Sequence, residues 1–243
     1  MAVANMDENI IECMSILGDP NLGGLDLDQY LSEYILQNYE QQEGINLRGD
    51  ELALKRILQA AEKAKIDLST STMTDINLPY ISTTDQGPKH LSMKLSRSEL
   101  ENIFEPFLKR LEVPIKEVLK TSRRQGADID KLVLVGGVSR IPCVRKRIEQ
   151  LLERPSERGI DPMESMAKGA AIQGGILSGE NEEILLLEVL TSSLGVETSS
   201  GKFTRIIEKN AALPIEKKKT FSTVSDNQTC VIVHIMQGES KIA

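Results

Sequence analysis

The chain has 243 residues, 40% of them hydrophobic but only 3% aromatic and none of them Trp, so any core must be aliphatic. Its formal net charge of −7 argues against nucleic acid as the main partner, because phosphate backbones select basic surfaces. No run of about twenty apolar residues is present, which excludes a membrane-spanning helix.

In chain order, NIIECMSI at 9–16 is predicted to be a strand running into a turn, GDPNLGG at 18–24. A helix is predicted over 26–41, with Leu27, Leu31, Tyr34 and Ile35 at helical spacing on one face, and a second over 50–67 with an acidic opening residue. The alternating segments 71–82 and 90–95 form a predicted hairpin. Ser96, with Glu99 three residues on, has the pattern of a capping box opening a long helix to about Arg124, kinked near Pro106 and Pro114. KLVLVGG at 131–137 is continuously apolar, the pattern of a strand buried on both faces. Helices follow over 141–152 and 162–178, the second opened by Asp161, Pro162 and Glu164.

Beyond Gly179 the helical periodicity stops. A polar stretch, SGENEE, leads to the apolar run ILLLEV, and then to the predicted strands SLGVET, FTRIIEK, KKTFSTV and CVIVHIMQG. The turn SDNQ makes the last two a predicted hairpin. The expected organisation is an α/β domain over 1–178, a linker over 179–190 and an all-β part over 191–243.

Three segments point to chemistry. In LVLVGGVSRIP at 132–142, Gly136 and Gly137 lack Cβ atoms, and the helix N-terminus that follows offers free N–H groups. That arrangement suits phosphate or a nucleotide, and it also suits simple close packing. In AAEKAKIDLS at 60–69, Glu62, Lys65 and Ser69 share one helical stripe, which either meets the polar edge of a ribose or base or is a solvated face. ILLLEV must dock somewhere to leave water, either as a conditionally docking coupler or as a permanently paired edge strand. The small residues of AKGAAIQGG at 167–175 are expected to serve packing alone. Cys13, Cys143 and Cys230 are scattered and odd in number, which fits a reducing compartment, and His90 and His234 are expected to be structural.

GDPNLGG, AAEKAKIDLS, TDINLPYI, GPKH, LVGGVSRIP, DPMESMAKGAAIQGGIL, ILLLEV, SLGVET and FSTVSDNQT with its later QGE stand in this order. Together they resemble the DnaK-type family of seventy-kilodalton heat-shock chaperones over almost the whole chain, with only MAVANMDE unplaced. The resemblance implies the second lobe of an actin-like (ribonuclease H-like) ATPase domain, then a linker and an incomplete antiparallel β-sandwich. It implies that Glu62, Lys65 and Ser69 contact adenosine and that Gly136, Gly137 and Arg140 line the nucleotide opposite, with ATP or ADP as cofactor and Mg²⁺ in the full-length family. It makes Leu185, Leu186, Leu187 and Glu188 part of the interdomain linker. Val196, Thr198, Ser199, Phe221, Val224, Val231 and Val233 fall where the family lines its peptide groove.

The implied partners are extended apolar peptides, a nucleotide exchange factor and a J-domain co-chaperone, in the bacterial cytoplasm or the mitochondrial matrix. Several positions depart from the pattern. Ile66 stands where some relatives carry an Arg, Leu25 and Met163 stand where the family has acids, and Asp161 replaces an Asn. The first-lobe phosphate loops that the resemblance calls for are not in this sequence. The chain by itself is therefore expected to grip adenosine without hydrolysing ATP. The alternatives are a non-catalytic module that binds an exchange factor or co-chaperone, and a truncated product without a stable fold.

Overall fold

The computed structural model of the chain describes residues 1–85, 87–180, 184–198, 201–223 and 225–243. They divide into two units. One comprises Asp19–Pro114 and Arg124–Ala171, and the other Met1–Gly18, Ile115–Arg123 and Ile172–Ala243.

The first unit is built on two twenty-residue helices, α1 (Gly24–Glu43) and α2 (Glu51–Thr70). Leu27, Leu31 and Ile35 recur every four residues on α1 and are fully buried, while Ile57, Ala61, Ala64 and Leu68 make the matching stripe on α2. Alanines at three buried α2 positions keep the two helices close. Each helix has a local reason to begin and end. The Asp26 carboxylate accepts from the Gly23 N–H at 2.7 Å, and the Asp50 carboxylate accepts from the N–H groups of Leu52 and Ala53, both at 3.0 Å. Helix α1 stops at Gly44, whose φ of 70° is the left-handed cap that glycine adopts freely.

The predicted hairpin is present and longer than expected, as β3 (Met73–Thr84) paired antiparallel with β4 (Gly87–Ser96). Its buried Ile76, Ile81, Leu91 and Leu95 join the same core. A bulge interrupts the register between Leu78 and Ser82. The Tyr39 and Ser82 hydroxyls meet at 2.8 Å, pinning β3 to α1.

Ser96 and Glu99 form the expected capping box, but the helix they open, α3 (Arg97–Ile103), ends at Phe104. A separate helix, α4 (Glu105–Ser122), then begins. The break precedes Pro106, whose ring would collide with the carbonyl four residues back in a continuous helix. Pro114 is accommodated inside α4. Helices α5 (Pro142–Leu152) and α6 (Ser165–Leu177) follow close to their predicted bounds.

The second unit holds β1 (Ala2–Asp7), β2 (Ile10–Ile16) and β5 (Leu185–Leu187) in one sheet of order β1-β2-β5. Strand β1 lies in the segment that sequence reasoning left unplaced. A second sheet has the order β7-β6-β8, with β6 (Leu194–Thr198), β7 (Lys202–Ile207) and β8 (Ile235–Gln237) all antiparallel. A Cβ on Gly195 would lie 2.3 Å from the Thr204 carbonyl oxygen, so only glycine fits this crossing.

Two strand expectations are overturned. Residues 131–137 do not form a buried strand: Leu132 makes one isolated parallel bridge to Ser156, and Val133 and Val135 are 48% and 46% exposed. No strand runs alongside them among the described residues, so the apolar pattern has no ladder to join. The hairpin expected from KKTFSTV and CVIVHIMQG is not found among the described residues: 217–223 join no sheet, and only Ile235–Gln237 pairs, with β6. Val231 and Ile232 are 61% and 91% exposed, since one short sheet offers no second layer to cover them.

Leu31→Ala is expected to cost about 3–5 kcal/mol in urea denaturation because it opens a cavity at a fully buried site. Leu52→Ala, at an exposed α2 position, is expected to stay within about 0.5 kcal/mol of the parent.

Candidate functional site

The stripe of Glu62, Lys65 and Ser69 forms on α2 as its spacing requires, but the three side chains face different surroundings. Glu62 is exposed, and Ser69 is half-buried with its hydroxyl donating to the Lys65 carbonyl at 3.0 Å. Lys65 is buried. Its ammonium donates to the Asp28 carboxylate at 2.7 Å and to the Gly24 carbonyl at 3.0 Å. The amine that sequence reasoning offered to a ligand is therefore held by the protein's own α1.

Asp28 is the residue the sequence reading missed. It lies beside Leu27 on the inward side of α1 and is only 4% exposed. Burial pushes its carboxyl above the usual aspartate range, against the hydrogen bond and charge of Lys65, and Glu62 adds to the rise. The signal was an acid inside an apolar stripe, facing a lysine inside another.

This buried pair brings a third segment into place. A Cβ on Gly24 would lie 3.3 Å from the Lys65 Nζ and 3.4 Å from the Val138 Cγ2, so the start of α1, the α2 stripe and the glycine turn meet there. Gly136 has a φ of 80°, a left-handed conformation that a side chain would strain, and Gly137 is exposed. The Ser139 hydroxyl donates to the Gly136 carbonyl at 2.7 Å and closes the single 3₁₀ turn of residues 137–140.

The turn is fastened to the segment before α6. The Gly136 N–H donates to the Pro162 carbonyl at 2.7 Å, and the Arg140 guanidinium pairs with Asp161 at 2.6 Å. Asp161 also accepts from the Met163 N–H at 2.8 Å. That bond, then Arg140, holds the Asp161 carboxyl below the usual range. Ile66 and Met163, both named as departures, are 59% exposed. The fold thus brings Gly136, Gly137 and Arg140 to one turn, with Lys65 behind it.

The remaining candidate residues lie elsewhere. Leu185, Leu186 and Leu187 form β5, in parallel register with Ile10, Ile11 and Glu12, and the Leu185 N–H donates to the Asn9 carbonyl at 2.9 Å. The Glu188 carbonyl accepts from the Leu213 N–H at 2.8 Å. Val196 and Thr198 are on β6, where the Thr198 and Thr204 hydroxyls meet at 2.9 Å. Phe221, Val231 and Val233 are exposed and outside any strand, and Ser199 and Val224 lie outside the described residues.

Both histidines have partners within their own neighbourhoods. His90 Nδ1 accepts from the Tyr80 N–H at 3.0 Å, and His234 Nδ1 lies 2.9 Å from the Glu197 carboxylate. No cluster of three or more potential metal ligands occurs among the described residues. A cleft of about 320 Å³ between α3, α4 and α5 includes Glu101, Glu105, Cys143 and Arg147 in its lining. Burial, reinforced by Glu101, pushes the Cys143 thiol up to about 11, well away from a reactive thiolate.

The buried pair has a distinctive energetic signature. Asp28→Ala leaves an unpartnered ammonium and is expected to cost about 3–5 kcal/mol, whereas Lys65→Met combined with Asp28→Leu should cost much less than the sum of the single changes. Because the Asp28 carboxyl is raised in the fold, its contribution to stability is present below the ordinary aspartate value of about 3.9 and is lost as pH rises through the folded value. Asp28→Asn should remove that slope. Urea titrations across pH of the parent, Asp28→Ala, Asp28→Asn, Asp28→Leu, Lys65→Met and the Asp28→Leu/Lys65→Met double variant measure both.

Comparison with known proteins bears on what this arrangement is. The family model described as Hsp70 protein matches residues 1–243. The chaperone protein DnaK of Methanothermobacter thermautotrophicus is 44% identical over 234 residues, covering 96% of this chain and 39% of that protein. The chain therefore spans about two fifths of the length of this curated relative. No helix among the described residues is long and apolar enough to cross a membrane. A match over the full 243 residues, mixed α/β structure and this level of identity agree: the chain belongs to the Hsp70 family.

Proposed function

We propose that the first unit supplies the adenosine side of a nucleotide site, as part of an ATP-dependent chaperone that binds extended apolar peptides. The meeting of Gly24, Lys65 and Val138 beside the Gly136–Gly137 turn is the observation that carries this reading. Three segments far apart in sequence converge beside this turn, where Gly137 is exposed and lies against the Met163 side chain, next to an exposed guanidinium and within the same unit as an exposed carboxylate. A planar base and a ribose need that combination: open backbone for close approach, a flat cation to stack or donate, and an acceptor for hydroxyls.

In this reading Arg140 and Glu62 meet the ligand, Ser69 adds a hydroxyl, and Lys65 shapes the site from behind through Gly24. The residues present fit adenosine. ATP would bring the phosphoryl group and its Mg²⁺, which the family uses to drive its cycle. The proposed division is a second lobe of an actin-like ATPase domain up to residue 178, a linker over 179–190, and the start of a β-sandwich peptide domain over 191–243. The pairing of β5 with β2 supports a linker that docks as a strand. The exposed Phe221, Val231 and Val233 supply apolar surface for an extended peptide, together with Val196 and Thr198 of β6.

A second reading is a protein-binding module for an exchange factor or co-chaperone. It is favoured by Tyr80, which is 69% exposed at a φ of 54° in the β3–β4 bulge. The Arg56 guanidinium donates to the Pro79 and Tyr80 carbonyls at 2.7 and 3.0 Å, and the His90 ring meets the Tyr80 ring edge-on at 4.8 Å. A rigid, exposed aromatic suits the centre of a protein interface.

Calorimetry separates the two. ADP is expected to bind the chain in the micromolar-to-millimolar range, and Arg140→Ala to weaken it about tenfold, the loss of one charged hydrogen bond. Binding of an exchange factor without any heat from ADP would leave only the protein-binding reading. ATP turnover above buffer, lost in Arg140→Ala, would overturn the expectation that this chain binds without hydrolysing.

A further inference from the structure

The bulge of the β3–β4 hairpin is held by side chains instead of by the ladder. Residues 79–81 have no register partner on β4, and Tyr80 sits there at a φ of 54°, a left-handed conformation that is strained for a residue with a bulky side chain. From α2, the Arg56 guanidinium donates to the Pro79 and Tyr80 carbonyls. From β4, His90 Nδ1 accepts the Tyr80 N–H at 3.0 Å, and the two rings meet edge-on. An N–H donates only to a ring nitrogen that carries no proton, so this contact selects the neutral imidazole with its proton on Nε2. Both His90 and Tyr80 are exposed, so solvent protons reach the ring that fixes the aromatic.

We propose that His90 is a pH switch on the hairpin: the neutral ring holds the Tyr80 backbone and presents its side chain, and protonation at Nδ1 releases both. The switch is a property of the bulge itself; that it regulates a docking surface rests on the protein-binding reading above. An imidazolium is a donor at both nitrogens, so protonation turns the acceptor into a second donor facing the Tyr80 N–H. It also adds positive charge beside a residue whose carbonyl already receives the Arg56 guanidinium. The neighbouring groups do not offset this. Lys89, next to His90 on β4, is itself cationic and is paired with Glu43 of α1 at 2.8 Å, the Tyr80 phenol carries no charge in this range, and His90 has no carboxylate partner among the described residues. A strained residue that loses one of its three tethers relaxes toward the ordinary extended region, and its ring leaves the fixed position.

The test is NMR on the full chain at about pH 8 and about pH 5, the limits between which histidine side chains change charge, for the parent, His90→Asn and His90→Ala. The readouts are the Tyr80 amide protection factor, which corrects for the intrinsic pH dependence of exchange, and cross-relaxation between the rings at 80 and 90. In the parent, protection should fall about three- to tenfold in acid, the scale of one hydrogen bond, and the ring contact should disappear. Asparagine offers an acceptor oxygen near the place of Nδ1 and does not titrate, so His90→Asn should stay protected at both pH values. His90→Ala should be poorly protected at both. Parent protection that ignores pH, or an equal fall in His90→Asn, overturns the proposal. So does a fall in which the methyl signals of the buried Leu91 and Leu95 shift as well, because the whole hairpin is then unfolding. A released Tyr80 in a chain that binds no exchange factor at either pH supports the switch and overturns only the protein-binding reading.

Discussion

One buried ion pair carries the geometry of the first unit. Lys65 and Asp28 come from two helices whose facing stripes are otherwise aliphatic, and both are buried. The pair is not an economical source of stability, because burial outweighs Lys65 in setting the Asp28 carboxyl. Its consequence is positional. The same ammonium holds the Gly24 carbonyl, so the register of α1 against α2 also fixes where the chain enters α1. Val138 packs against that entry, and the glycine turn is located in consequence. An apolar pair of similar volume would fill the space but would not bind the Gly24 carbonyl.

The second charged contact, Arg140 with Asp161, works under opposite conditions. It is open to solvent, so its energetic value is small and salt-dependent. What it controls is the state of a guanidinium at the lip of the turn. The inner pair is buried between two helices, and the outer pair holds a guanidinium while remaining open to solvent. The Hsp70 relationship covers the whole chain.

The sheets of the second unit depend on a different constraint, the need of every strand for a neighbour. Leu185–Leu187 is too short to persist alone, and it is a strand because Ile10–Glu12 offers a free edge. Ser193 shows the same principle at a turn. It is fully buried and spends its polar atoms on the Glu239 carboxylate and on the N–H groups of Lys209 and Gly238. Residues 217–223, which include the β-prone Thr220, Phe221 and Thr223, join no sheet.

What the sequence determined by itself was local. The helical spacing of α1, the acidic start of α2, the Ser96–Glu99 box and the alternation of 71–82 and 90–95 each act within a few residues, so each was legible. The ordered motifs carried the family in the same way. Tertiary structure decided whatever needed a distant partner. It turned Lys65 inward to Asp28, an acid 37 residues away, and it closed Arg140 onto Asp161, 21 residues on. It also left Val133 and Val135 without the ladder their pattern calls for. Side-chain spacing says which residues share a face, but not what that face will meet, because the competing hydrogen bonds and countercharges come from elsewhere in the chain.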